Sequence, residues 1–170
     1  GSNAIAVTEY VLTSLAYTGR LVELMTAGGS VGIVGFGHVG KRLAATLLGL
    51  GVGVRVWDPW VEVPAAICGS TLDSVLECTV LSLHAALHDT APWPSRAMLT
   101  AEALRAAPDG QLLINAGRGE LATRDALTCV IDRHGALVLD TWPDEPCIDA
   151  GLLGMTTVAT PHIAGYSYQA

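Results

Sequence analysis

The chain contains little positive charge. Lys41 is its single lysine, and nine basic residues stand against sixteen acidic ones, which gives a net charge of −7 over 170 residues. A surface that binds a nucleic-acid backbone needs clustered positive charge. We therefore expect no nucleic-acid partner, and we expect the acidity to serve mainly solubility.

Long apolar runs are missing as well. Hydrophobic residues make up 51% of the chain, but no apolar run reaches the roughly 18 residues that a membrane helix requires. Three glycines interrupt the strongest candidate, residues 44–54. The sequence therefore predicts a soluble protein with a large core and no membrane span.

Cysteine is scarce and occurs in no metal or redox spacing. Cys68, Cys78, Cys129 and Cys147 form no C-x-x-C motif, and each has apolar neighbours in the sequence. With no secretory leader in view, this pattern predicts reduced, buried cysteines and a cytoplasmic location. The histidines are not spaced as metal ligands either, so we expect no metal site.

What the chain does contain is a regular alternation of short apolar runs and helix starts. The runs have the length of strands that are buried on both faces: Val31–Gly35, Val52–Trp57, Thr79–Leu83, Gln111–Asn115, Ala136–Asp140 and Thr157–Ala159. Helices are predicted over residues 4–18, with Asn3 as the N-cap, and between the strands over 38–50, 72–77, 101–106 and 124–133. Such alternation requires crossover connections. It predicts a single domain over residues 1–170, an α/β fold with a doubly wound parallel sheet.

A glycine motif stands at the first predicted strand-to-helix junction. Gly35, Gly37 and Gly40 form G-x-G-x-x-G in VGIVGFGHVG, with His38 and Val39 opening the helix. Glycines in this context allow a tight turn and let the backbone approach a pyrophosphate at the helix N-terminus. The alternative is a tight turn with no ligand.

Asp58 strengthens the first interpretation. It ends the second predicted strand, 18 residues after Gly40, near the offset at which an acid accepts from the ribose hydroxyls of a dinucleotide. An acid there repels a 2′-phosphate, so the motif favours NAD over NADP. The alternative is that Asp58 only caps the loop before Pro59.

Three later segments each place one chemically active side chain just past an apolar run: Arg118, Glu145 and His162. The carboxyl ends of parallel strands line one crevice, so these residues can meet at one ligand. An arginine binds a carboxylate through two parallel hydrogen bonds, a histidine moves a proton, and a carboxylate orients the histidine. Alone, Arg118 could be a solvated arginine and His162 a structural histidine.

Other side chains near these strand ends are candidates for cofactor contact. We include Ala116 and Gly117, which form the turn before Arg118. His84 could line the cofactor crevice or be a satisfied strand-end histidine, and Asp140 could face the nicotinamide or be a simple strand-end acid. Of the four tryptophans, we expect Trp142 to be the one that touches a ligand.

Together, VGIVGFGHVG, LINAGRGE, LDTWPDEP and ATPHIAGYS resemble the nucleotide-binding domain of the D-isomer-specific 2-hydroxyacid dehydrogenases. The resemblance implies NAD as the cofactor and hydride transfer between NAD and a 2-hydroxy or 2-keto acid, with a 4-phosphorylated acid among the candidates. It implies Arg118 as the substrate-carboxylate binder, His162 as the proton donor and Glu145 as its partner. The sequence departs from the family pattern H-x-P-L at residues 84–87, which read HAAL.

The same resemblance implies further partners. Members of this family resemble two-domain enzymes, so we expect a substrate domain outside this chain, a hinge or dimerisation helix at about 4–18, a homodimer formed through residues 4–25, and weak activity of the chain alone. Two alternatives are a non-catalytic NAD(H)-sensing or dimerisation module and an adenosylhomocysteinase-like enzyme. The INAGRG and TPHIAG segments disfavour the latter.

Overall fold

The computed structural model describes residues 3–166. Its helices and strands alternate along the chain as follows: α1 (Ala4–Tyr17), α2 (Arg20–Thr26), β1 (Ser30–Val34), α3 (His38–Gly49), β2 (Gly53–Trp57), α4 (Leu72–Leu76), β3 (Val80–Leu83), β4 (Leu112–Asn115), α5 (Arg124–Asp132), β5 (Ala136–Leu139), α6 (Ala150–Met155) and β6 (Val158–Ala159). Single 3₁₀ turns occupy Ala65–Ile67, Ala103–Ala106 and Gly119–Leu121.

The strands form one parallel sheet in the order β2-β1-β3-β4-β5-β6. This confirms the doubly wound α/β fold and all six predicted strands. The chain crosses from β2 over β1 to β3, so the direction of winding reverses between β1 and β3. Ligands of open parallel sheets bind at this reversal, beyond the carboxyl ends of the strands.

The core lies in two layers, one on each face of the sheet. Alternating side chains of a strand point to opposite faces. In β5, for example, Leu137 and Leu139 pack with α4 and α5, whereas Val138 packs on the other face with residues of α1 and α3. Burial of both faces explains why the strands are continuous apolar runs.

Some helix predictions need correction. The predicted helix over 101–106 is only the 3₁₀ turn Ala103–Ala106, and α2 and α6 were not predicted. Asp149 caps α6 by accepting from the N–H of Leu152 at 2.7 Å, a signal that the sequence contained. Asn3 stands at the N-cap position of α1, but its side chain makes no capping bond. Thr123 does cap α5, accepting from Ala126 N.

The cysteines were only partly predicted. All four are free thiols, but Cys68 and Cys147 are exposed, while Cys78 is buried. Burial raises the pKa of the Cys78 thiol. The expectation that all four are buried was wrong, because apolar neighbours in sequence do not determine which face of a loop a side chain occupies.

Within residues 3–166, no helix is both long and apolar enough to cross a bilayer. The same part of the chain contains no cluster of three metal-ligating side chains.

Candidate active site

The glycine-rich turn between β1 and α3 is shaped by close backbone contacts. Gly35 has φ +100°, and a Cβ there would lie 2.6 Å from the backbone N of Ala85. A side chain at Gly40 would overlap the carbonyl oxygen of Gly35. Gly35 and Gly40 are therefore needed for the turn itself, whatever it binds.

Gly37 differs, because nothing lies within 4 Å of the position of its missing Cβ. It is the N-cap of α3, and no side chain caps this helix end. His38 is exposed and Val39 is half-buried there. The open backbone and the uncapped N–H groups of the first turn form a cradle that suits a phosphate group.

Asp58 bridges the glycine-rich turn and the segment after β2. Its Oδ2 accepts from Phe36 N at 2.7 Å, and its Oδ1 accepts from Trp60 N at 2.8 Å and Val61 N at 3.0 Å. Asp58 therefore does cap its own loop. A carboxylate has about four acceptor sites, so acceptor capacity remains for a ribose hydroxyl.

An aromatic cavity of about 310 Å³ opens beside this cradle. Trp57 and Trp93 meet edge to face with ring centroids 6.1 Å apart, and Trp60 and His88 meet similarly at 5.7 Å. Asp58 lies on the wall of the same cavity. Its apolar lining and its volume suit a flat heteroaromatic ring.

This cavity corrects the expectation for Trp142. That residue is 2% exposed, and its indole N–H donates to the carbonyl of Thr160 at 2.9 Å. The tryptophans on the cavity are Trp57, Trp60 and Trp93 instead. Trp60 and Trp93 come from separate loops, so sequence spacing could not group them.

Ser95 holds the loop that forms one cavity wall. Its hydroxyl donates to Ala86 O at 2.7 Å and accepts from His88 N at 2.9 Å, and its own N–H donates to His88 O at 2.9 Å. These bonds close the segment 86–95 into an ordered loop that presents Trp93. This role of Ser95 was not predicted.

His84 lies at the carboxyl end of β3 and lines the same cavity. Its Nε2 is 2.8 Å from Ser82 Oγ. Its Nδ1 is buried and has no partner among the described residues. The residue keeps some exposed surface, but desolvation of the ring lowers the pKa of His84 to about 4. The imidazole is therefore neutral at neutral pH.

Glu145 and His162 are brought together although 17 residues separate them. Glu145 Oε2 lies 2.8 Å from His162 Nδ1, and Glu145 Oε1 accepts from Trp142 N at 2.6 Å. Because an ionised carboxylate can only accept, Nδ1 carries the proton and Nε2 is left for another partner. The two side chains are 32% and 46% exposed, so the pair faces a ligand-accessible surface.

Asp140 supports the loop that carries this histidine. It is 1% exposed, and its carboxylate accepts from Thr160 Oγ1 at 2.7 Å, Ile163 N at 2.8 Å and Ala164 N at 2.9 Å. These bonds support the strand-end alternative over a contact with the nicotinamide. Asp140 differs from the half-buried Asp58 in being buried, so its carboxylate is not open to a ligand.

Arg118 lies in the turn after β4. Its guanidinium is exposed and donates to Gly117 O at 2.7 Å. Among residues 3–166, no carboxylate forms an ion pair with it. Arg118 can therefore bind a carboxylate from outside the chain.

Asn115 shapes this turn, a role that the sequence analysis missed. Its Nδ2 donates to Arg118 O at 2.9 Å, and its Oδ1 accepts from Gly117 N at 3.2 Å and from Thr141 Oγ1 at 3.1 Å. An Asn two residues before a Gly is a known Asx-turn signal and could have identified it. The bond to Thr141 also joins the Arg118 turn to the segment after β5.

The candidate residues thus divide into two groups along one edge of the sheet. The cradle, Asp58 and His84 follow β1, β2 and β3, whereas Arg118, Glu145 and His162 follow β4, β5 and β6. The first group can hold a dinucleotide, and the second can bind a carboxylate and move a proton.

The chain also matches a known protein family. The family model described as "D-isomer specific 2-hydroxyacid dehydrogenase, NAD binding domain" matches residues 13–164. The chain belongs to this family. The match confirms the resemblance to an NAD-binding domain that was inferred from the sequence.

Curated relatives of this NAD-binding domain include two enzymes named erythronate-4-phosphate dehydrogenase. The chain is 39% identical to the one from Teredinibacter turnerae, with 99% of this chain and 46% of that protein covered. It is 37% identical to the one from Hahella chejuensis, with 98% and 44% covered. The chain spans about half the length of the curated relatives it matches.

Solved structures of D-2-hydroxyacid dehydrogenases share the fold. D-lactate dehydrogenase from Aquifex aeolicus, complexed with NAD and lactic acid, superposes with a TM-score of 0.82 at 22% identity, covering 99% of this chain and 62% of that one. D-lactate dehydrogenase with NAD⁺ from Lactobacillus jensenii gives 0.78 at 20% identity, with 96% and 60% covered.

Proposed function

We propose that this domain supplies the cofactor site and the proton-transfer group of an NAD-dependent D-2-hydroxyacid dehydrogenase. The observation that carries the proposal is the Glu145–His162 pair, 2.8 Å apart, on the sheet edge that also carries the glycine cradle. A cofactor-binding fold alone needs no such pair.

The residues of the first group fit NAD. The open Gly37 backbone and the first turn of α3 suit the pyrophosphate, Asp58 has spare acceptor capacity for the ribose hydroxyls, and the aromatic cavity suits the adenine. The charge of Asp58 disfavours a 2′-phosphate. When bound, NAD accepts or supplies the hydride at its nicotinamide ring.

The residues of the second group then perform the acid-base chemistry. In oxidation, Arg118 binds the substrate carboxylate, and His162 Nε2 takes the proton of the 2-hydroxyl group as the C2 hydride leaves. Glu145 stabilises the resulting imidazolium and keeps Nδ1 protonated. In reduction, the same Nε2 gives its proton to the carbonyl oxygen at C2 as the hydride adds to C2, so the 2-keto group becomes a 2-hydroxyl group.

We propose 4-phosphoerythronate as the substrate, because the curated relatives of similar sequence are named for it. Recognition of its phosphate group belongs to a substrate domain of the whole protein. A cytoplasmic location is a further proposal, supported by the four free thiols.

A homodimer is proposed through α1 and α2. Apolar side chains on these helices are exposed, among them Tyr17 at 75%, Val22 at 65% and Met25 at 52%. Light scattering at micromolar concentration is expected to give the mass of a dimer, and Val22→Glu is expected to give a monomer. A monomeric wild-type chain would refute this part of the proposal.

The alternative, a non-catalytic NAD(H)-sensing or dimerisation module, is disfavoured by Arg118, Glu145 and His162, since sensing requires none of them.

The decisive experiment has two arms. Titration calorimetry of this chain is expected to show NADH binding and weaker NADPH binding. In the full-length parent, His162→Gln is expected to lower kcat by about 10²- to 10⁴-fold with NADH affinity unchanged. Absence of NADH binding, or unchanged turnover in the variant, would overturn the proposal.

A further inference from the structure

Helix α1 is joined to the loop of His162 by a chain of hydrogen bonds. The hydroxyl of Tyr10, on α1, lies 2.8 Å from Thr160 Oγ1, across 150 residues of sequence. Thr160 Oγ1 in turn lies 2.7 Å from Asp140 Oδ1. No motif in the sequence links these three residues.

Chemistry decides which group donates in each of these two hydrogen bonds. An ionised Asp140 can only accept, so the single hydroxyl proton of Thr160 goes to Asp140. Tyr10 must therefore donate its own proton to Thr160. Burial raises the pKa of Tyr10, which agrees with a phenol that stays protonated and donates.

Asp140 is also hydrogen-bonded to the backbone around His162. Its carboxylate accepts from Ile163 N and Ala164 N, and its carbonyl oxygen accepts from His162 N at 2.8 Å. Three consecutive amides of the loop are thus bonded to one residue. Thr160 is equally constrained, because its N–H donates to Leu139 O at 3.0 Å and its carbonyl accepts from the Trp142 indole.

The loop needs such support. His162 has φ +57°, a conformation that costs free energy for a residue with a side chain and persists only where the surroundings impose it. The bond between Glu145 and His162 constrains the ring but not the backbone.

We propose that Tyr10 is a positioning residue for His162 that acts through Thr160 and Asp140. The proposal rests on the proposed function in so far as His162 is the proton-transfer group. Helix α1 also packs against α3, which begins at the glycine cradle. One helix therefore contacts both α3, the helix that follows the cradle, and the loop of the acid-base histidine.

Amide hydrogen exchange in this chain tests the proposal without any substrate. Tyr10→Phe removes one hydroxyl and keeps the ring. It is expected to speed exchange at His162, Ile163 and Ala164 by about fivefold, the value of one ordinary hydrogen bond. Exchange in β1 and β3 is expected to stay unchanged. The matched control is Tyr17→Phe, the same change at an exposed tyrosine of the same helix.

Thr160 provides a second test. Thr160→Val removes the hydroxyl and is expected to loosen the same three amides, whereas Thr160→Ser keeps it and is expected to behave like the wild type. Tyr10→Phe combined with Thr160→Val is expected to exchange no faster than Thr160→Val alone, because both changes break one chain of bonds.

Two outcomes would overturn the proposal. Tyr10→Phe could behave like Tyr17→Phe at the three amides, or it could speed exchange uniformly across the sheet, which marks a general loss of stability.

In the full-length parent, Tyr10→Phe is expected to lower kcat severalfold while the dissociation constant of NADH stays unchanged. Failure of the proposed reaction would show as no turnover in the wild-type parent, and the exchange result would still report on the hydrogen-bonded chain.

Discussion

The carboxylate of Glu145 lies 2.8 Å from Nδ1 of His162, and its other oxygen accepts the backbone N–H of Trp142. Both oxygens of the carboxylate are therefore hydrogen-bonded, so Glu145 orients the imidazole ring in addition to balancing its positive charge when the ring is protonated. Because the indole of Trp142 donates to Thr160, the bonds close a ring around the histidine. Glu145 and His162 are fixed relative to each other by more than their own contact.

Glu145→Gln is expected to lower kcat of the full-length parent by about 10²-fold or more, because a neutral amide stabilises the imidazolium poorly. NADH affinity is expected to stay unchanged, as measured by calorimetry. Asp144→Asn is the control, since it removes an exposed carboxylate next in sequence. Equal effects of the two changes would contradict a specific role for Glu145.

Asp58→Asn is expected to narrow the preference for NADH over NADPH by about tenfold, which corresponds to about 1.4 kcal/mol. The reason is that the carboxylate charge beside the ribose is removed. The ratio of the two dissociation constants is the quantity to measure, because the bonds to Phe36, Trp60 and Val61 make Asp58 important for stability too. An unchanged ratio would place the ribose elsewhere. The control is Asp73→Asn, the same change at an exposed acid of α4.

Trp93→Ala is expected to weaken NADH binding by about 1–3 kcal/mol, the usual cost of losing a ring that stacks on a base. Binding of nicotinamide mononucleotide, which has no adenine, is expected to be unaffected in the same variant. The same comparison applies to Trp60→Ala. Loss of both ligands to the same extent would mean that the cavity holds another part of the cofactor.

Stability is expected to depend on the protonation of His84. Its pKa is lowered to about 4 in the folded protein, against about 6.5 in an unfolded chain. Between these values the unfolded state binds more protons, so the free energy of unfolding falls as the pH falls from about 6.5 to 4. The loss contributed by this residue is about 3 kcal/mol at most.

Urea denaturation of the wild type and of His84→Gln, from about pH 7 down to pH 4, measures this effect, since the variant is expected to lose less stability on acidification. His38→Gln changes an exposed histidine and is expected to retain the full pH dependence. If all three proteins lose stability in parallel, His84 is not the buried neutral group inferred here.

The residues that local rules identify were predicted well. All six strands follow from apolar runs of strand length, and Thr123 was identified as a helix cap by its position. Some misses are local, since α6 and the turn at Asn115 were not predicted although the sequence contained signals for both. The others concern side chains whose partners are distant in sequence. Trp142 was expected at a ligand and lies in the core, and the bonds of Asp140 support the structural alternative over a cofactor contact, because their neighbours come from loops after other strands.

The sequence by itself determined the alternation of strands and helices, the parallel sheet and the glycine turn, since each depends on side-chain periodicity and backbone sterics over a few residues. The pairing of Glu145 with His162 was expected from the sequence, but only the tertiary structure decided its geometry and which residues support it. Glu145 reaches His162 while Asp140 supports the loop beneath it, and Tyr10 joins them from the other end of the chain. The reason is that strand order, which no local pattern encodes, determines which loops share an edge of the sheet.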